Sequence, residues 1–242
     1  FMTQDAMPAD DMLTAELLRP MTDRSISVSY ARQLPAGNCG PVEKYNRMFN
    51  YPDEDVCKSK ADISKLGIKT YFCSDVCACY RKSDFDAAGG FIRYTIFNED
   101  MIYAAGRVSE DRKIYYASKA KVSHSHDYSA REQYHRNFDL GVSQADHPEV
   151  FSGISSESEG KKLVSGCIRY LAAEKKIYLI PDFLVKCAAR YLGYKKGLNY
   201  KKMSQKAILR ATNNRDYFER YWDRVKIPAD VHSGYGKNEE GL

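Results

Sequence analysis

The sequence predicts an α+β protein, with a central antiparallel β-meander, a C-terminal bundle of about four helices, and an extended loop-rich N-terminal segment. Three observations carry this. β-favouring Tyr, Ile, Phe and Val concentrate between Ile68 and His126. Apolar residues recur at three- and four-residue spacing after residue 160. Prolines at 8, 20, 35, 41 and 52 break the first 66 residues into short pieces. With 43 % hydrophobic residues over 242 positions, the chain can bury a core without staples.

Residues 1–66 are expected to wrap as an extended segment, with Asp10–Leu18 and Val42–Phe49 as brief helices. Residues 67–150 form the β region. Its expected strands are Ile68–Cys73, Phe91–Phe97, Met101–Val108, Arg112–Ala117 and Lys119–Ser123, joined by Asn98-Glu99-Asp100 and Ser109-Glu110-Asp111 as turns. From Asp127 to Gly160 the chain turns polar and ends in a Ser/Glu run that reads as a linker. Helices are expected over Lys161–Ala173, Pro181–Leu192, Tyr200–Ala211 and Asn214–Val225, within a basic helical region at 161–226. A C-terminal tail follows at 227–242. The longest apolar stretch, Ile177–Leu192, is interrupted by Pro181, Asp182, Lys186 and Arg190, which is incompatible with a bilayer span.

Charge is unevenly placed. Residues 161–226 carry 17 Lys/Arg against 5 Asp/Glu, a net of +12, whereas the whole chain is +5, leaving the remainder at −7. Lys186, Arg190, Lys195, Lys196, Lys201, Lys202, Lys206 and Arg210 interleave with Tyr191 and Tyr194. Cations beside aromatic faces suit a partner-binding surface for an acidic protein, RNA or anionic lipid.

Chemistry-bearing clusters are few. Cys73, Cys77 and Cys79 lie within seven residues and could converge on zinc, with Cys57, His124 or His126 as fourth ligand, although the paired CxxC knuckles of structural zinc are missing. Cys39 and Cys57 could form a disulfide, and no cofactor other than zinc is suggested. His124 and His126 alternate at a strand end, so both point to one face, with Asp127 next to them; such a set can hold a metal or pass a proton. Glu157 and Glu159 resemble the paired glutamates of ADP-ribosyltransferases, but the other elements of that family are lacking and a Ser/Glu linker accounts for the pair.

No phosphate-binding loop, dinucleotide fingerprint, nucleophile elbow or kinase signature is present. The sequence therefore favours a non-catalytic accessory subunit of a large assembly, engaging protein neighbours through an acidic N-terminal and a basic C-terminal surface. There is no basic or apolar leader. Phe1 reads either as a processed end, which would make a mitochondrial complex the natural home, or as one residue added before a native Met2, which would leave the protein cytoplasmic. An RNA-binding protein using the basic helices is one alternative, and an enzyme or secreted effector using His124, His126 and Asp127 with a cysteine is another.

Overall fold

The computed structural model describes residues 1–152 and 157–225. Its sheet is built from β1 (Met7–Pro8), β2 (Ile26–Leu34), β3 (Val56–Lys58), β4 (Ala78–Tyr80) and β5 (Lys113–Ser123). The order is β1-β5-β2-β4, with β3 also pairing with β5. The class is α+β, but the sheet is no meander. Its two long strands, β2 and β5, run parallel, aligned so that Leu34 lies opposite Ser123, while β1, β3 and β4 pair antiparallel to them. A parallel pair requires a crossover, and the chain between β2 and β5 supplies it with helices and turns.

The helices among the described residues are, in chain order, α1 (Leu13–Leu18), α2 (Pro41–Asn50), α3 (Ile63–Leu66), α4 (Lys82–Ala87), α5 (Glu99–Ser109), α6 (Ala130–Asp146), α7 (Pro148–Phe151), α8 (Glu157–Ala173), α9 (Ile180–Leu198), α10 (Gln205–Ala211) and α11 (Arg215–Val225); α1, α2 and α5 pack on the sheet. Alternation along the strands makes two cores. Val28, Tyr30, Ile114 and Tyr116 face Tyr103, Ala104 and Val108 of α5, whereas Ala31, Ala117 and Val122 join Leu13 and Leu17 of α1. Each fully buried aliphatic side chain contributes roughly 1.5–3 kcal/mol, so these two layers anchor the parallel pair.

Several expected strands take other forms. Met101–Val108 lies in α5: Ile102, Tyr103 and Val108 favour strands, but Ala104 and Ala105 favour helix, and Glu99 and Asp100 sit in the first turn, where the helix dipole favours acids. Phe91–Phe97 is irregular, and Phe91 instead packs edge-on to Phe85, with ring centroids 4.9 Å apart. Ile68–Cys73 begins as a 3₁₀ turn, Gly67–Thr70. Arg112–Ala117 and Lys119–Ser123 fall in one strand, β5. Conversely, β2 lies inside the segment expected to be loop. Its serines Ser27 and Ser29 are fully buried, and Ser27 donates to the Asp84 carboxylate.

The polar stretch after Asp127 is mostly the 17-residue α6, started by a reciprocal capping box between Ser129 and Glu132. The Ser/Glu run is helical from Glu157 onward, and Glu159 pairs with Lys69 and Lys162. Residues 153–156 of that run and the tail at 227–242 lie outside the described residues. Helix α9 lies hard against α6. A Cβ added at Gly193 or Gly197 would overlap backbone atoms of Tyr134 or Phe138, so only glycine permits this approach. Phe138, Val142, Tyr200, Ile208 and Phe218 fill the space between α6 and the last helices.

Candidate metal centre and active site

The carboxyl ends of the parallel strands β2 and β5 coincide, and open α/β sheets bind ligands at such an edge. His124 follows the last residue of β5, and its backbone N–H is fixed by the Leu34 carbonyl at 3.0 Å. Strand β1 pairs Met7 with Ser123, and this register carries Asp5, two residues earlier in the chain, to the same point. The result is a compact triangle. His124 Nε2 lies 3.2 Å from Asp5 Oδ2, His126 Nε2 3.1 Å from the same oxygen, and the two imidazole nitrogens are 3.0 Å apart. Among the described residues, these three offer ligand atoms close enough together to hold one cation.

The triangle is held from behind. Gln33, near the end of β2, accepts from His124 Nδ1 at 3.0 Å and from the Arg47 guanidinium, and donates to Ser74 Oγ at 2.9 Å. An acceptor at Nδ1 places the imidazole proton there and leaves a lone pair on Nε2, the usual arrangement for a metal-ligating histidine. Burial pushes the His124 pKa down, Arg47 and His126 push it further, and Asp5 opposes them; the ring therefore stays neutral, as a ligand must. His124 is buried while half of the Asp5 side chain is exposed, so the triangle opens to solvent through Asp5. Two imidazoles and one carboxylate form a mixed donor set that suits a first-row divalent cation.

A second titratable group lies on the same loop system. Residues 73–77 run behind the triangle: Ser74 holds Gln33, and the Val76 carbonyl accepts from the Thr3 N–H, two residues before Asp5. At the other side of that loop, Cys73 Sγ donates to the Asp100 carbonyl. Asp100 sits in the first turn of α5 and its carboxylate accepts from the Met101 N–H at 2.7 Å. Burial raises its pKa to about 7, with the charges of Asp75 and Glu99 adding to the effect. A carboxyl poised there is suited to exchange a proton at neutral pH.

The sequence singled out His124 and His126 and missed Asp5, the residue that completes their site. Asp127 instead pairs with Lys186 at 3.3 Å. The cleft beside His126 is lined by Glu43, Asp127, Tyr128, Lys186 and Arg190, so two of the expected basic residues stand next to the triangle. The others are spread: Tyr194 donates to Gln144, Lys201 pairs with Asp146, Tyr191 lies beneath Lys195, Lys196 approaches the Tyr134 ring, and Lys202, Lys206 and Arg210 are exposed. Cys73 and Cys77 are buried and Cys79 half-buried. Burial pushes all three thiols up, and they do not join a cation cluster among the described residues. Cys39 and Cys57 are both free thiols, half-buried in a loop and exposed on β3 respectively.

No protein-family model and no solved structure matches the chain. Two characterised proteins do. The chain is 36 % identical over 229 residues to the O-antigen chain rhamnosyltransferase WbaN of Salmonella anatum, which covers 93 % of this chain and 70 % of that protein. It is 37 % identical over 229 residues to the O-antigen chain rhamnosyltransferase RfbN of Salmonella typhimurium, covering 93 % and 71 % respectively. Both relatives are bacterial enzymes, which overturns the expectations of a non-catalytic accessory subunit and of a mitochondrial home; charge asymmetry and the absence of short motifs had carried the first, neither of which bears on a site assembled from distant residues, and the reading of Phe1 as a processed end had carried the second. Similarity at this level over nearly the whole chain places the protein in the family of O-antigen chain rhamnosyltransferases.

Proposed function

We propose that the protein transfers a rhamnosyl group from an activated donor to a hydroxyl of a growing glycan, using the Asp5–His124–His126 triangle as a divalent cation site and Asp100 as general base. The observation that carries this reading is the approach of three ligand atoms to within 3.0–3.2 Å of one another at the carboxyl edge of the parallel strands.

Glycosyl transfer breaks the bond from the sugar's anomeric carbon to the leaving group, forms a new bond to the acceptor oxygen, and releases the acceptor's proton. A divalent cation at the triangle would offset negative charge gathering on the leaving group. Arg190, lining the cleft beside His126, favours a donor whose leaving group is a phosphate anion, while its neighbour Lys186 is held by Asp127 and Asp182. Asp100, with its pKa near neutrality, is the group matched to taking the acceptor proton. Gln33 acts through His124 by fixing its tautomer, and is a positioning residue.

The test is rhamnosyl transfer by the purified protein with Mn²⁺, with Mg²⁺ and after chelation, alongside Mn²⁺ titration by calorimetry. Asp5→Ala and His126→Ala are expected to abolish Mn²⁺ binding and to lower transfer by on the order of a hundredfold or more. Transfer that survives chelation, or full-strength Mn²⁺ binding by Asp5→Ala, would refute the assignment of the triangle.

A further inference from the structure

Among the described residues, helix α9 has one face that nothing covers. Its inner side is taken by α6 through Gly193 and Gly197, and Phe183 is buried in a cluster with Cys167 and Leu171 of α8. Lys186 and Arg190 turn toward the cleft beside His126. On the remaining side, Tyr178 of the preceding 3₁₀ turn (Ile177–Leu179), Leu184, Val185, Tyr191 and Leu192 are all large, apolar or aromatic, and exposed, Tyr178 to 72 % and Leu192 to 60 %. At 100° per residue, Leu184, Val185, Tyr191 and Leu192 fall within one arc of about 120°, so they form one continuous stripe rather than scattered exposures. Isolated surface apolars need no explanation; a stripe along more than two turns of a helix does.

We propose that this face of α9 docks on a membrane surface carrying anionic lipid. Charge selects that occupant. Residues 175–210 contain ten Lys/Arg and a single acid, Asp182, which is paired with Lys186. Lys175, before the stripe in the chain, and Lys195, Lys196 and Lys202, after it, are exposed, while Lys201 pairs with Asp146. Apolar side chains in the centre with lysines at the margins match an interface helix, whose apolar face enters the headgroup boundary while the ammonium groups meet lipid phosphates. A second copy of the chain, seated face to face, would bring the same positive charge against itself. An RNA would be served by the lysines but would leave the stripe in water. No helix among the described residues is long and apolar enough to cross a membrane, so the contact is with the surface. The inference rests on α9 and not on the cation site, and its test does not require activity.

The test is co-sedimentation of the full chain with phosphatidylcholine vesicles and with vesicles of phosphatidylcholine and phosphatidylglycerol. Binding to the anionic vesicles, weaker binding to the neutral ones, and a loss of about tenfold or more in partition for Val185→Glu/Leu192→Glu are expected, with the circular dichroism spectrum and Mn²⁺ affinity of the variant unchanged. Lys195→Glu/Lys202→Glu should weaken only the anionic-vesicle binding, by about tenfold. Absence of vesicle binding, or binding untouched by Val185→Glu/Leu192→Glu, overturns the proposal. So does a dimer in sedimentation equilibrium that Val185→Glu/Leu192→Glu dissolves, or a preference for an RNA oligonucleotide that displaces the vesicles.

Discussion

Replacing Asp100 by Asn should cost activity and yet stabilise the protein above neutral pH. The carboxyl is half-buried in the first turn of α5, and its pKa rises from 3.8 to about 7, first from desolvation and then from Asp75 and Glu99. A folded-state pKa above the unfolded value means that the folded protein holds its proton more tightly. The group's contribution is therefore fully present below about pH 4 and is lost as pH climbs through about 7. That rise in pKa corresponds to a burden of about 4 kcal/mol for the ionised carboxylate at pH 8. Asn keeps an oxygen that can accept from the Met101 N–H, so little is lost with the charge. Urea unfolding of the parent and of Asp100→Asn between pH 5 and pH 8 measures the difference. The expected result is an advantage for the variant of about 1–2 kcal/mol at pH 5 that grows to about 4 kcal/mol at pH 8, together with a fall in transfer of at least about a hundredfold. A stability difference that does not change with pH would show that Asp100 is ionised throughout, and its assignment as a base poised near neutrality would fail.

Two further substitutions probe what holds the site's framework. Gly193→Ala should destabilise by about 3 kcal/mol, because its Cβ would meet backbone of α6 that cannot yield, while Gly106→Ala in α5, with open space around it, should gain about 0.5–1 kcal/mol; urea midpoints that move together would contradict the close approach of α9 to α6. Asp139→Ala should cost about 3 kcal/mol, since the buried carboxylate accepts from the Thr212 hydroxyl, the Asn213 N–H and the Asn214 amide at the start of α11; a loss under about 0.5 kcal/mol would mean that water replaces it.

Some of this was legible in residue order. The periodicities after residue 160, with apolar residues such as Leu163, Cys167 and Leu171 on one side, sit in helices, and the alternation of His124 and His126 at a strand end put both rings on one face. The capping box at Ser129 and Glu132 and the acid pair opening α5 were readable signals that the polar or β-rich composition around them outweighed. Strand β2 was harder, because buried serines imitate a loop until a partner such as Asp84 is known.

The amino-acid sequence by itself determined the α+β class, the basic character of the last third and the pair of histidines, because periodicity, charge and local spacing are properties of neighbours in the chain. Tertiary structure alone decided the parallel pairing of β2 with β5 and the arrival of Asp5 beside His124, 119 residues away. A site closed by strand register depends on hydrogen bonds between distant backbones, and no local pattern around Asp5 records which strand it will meet.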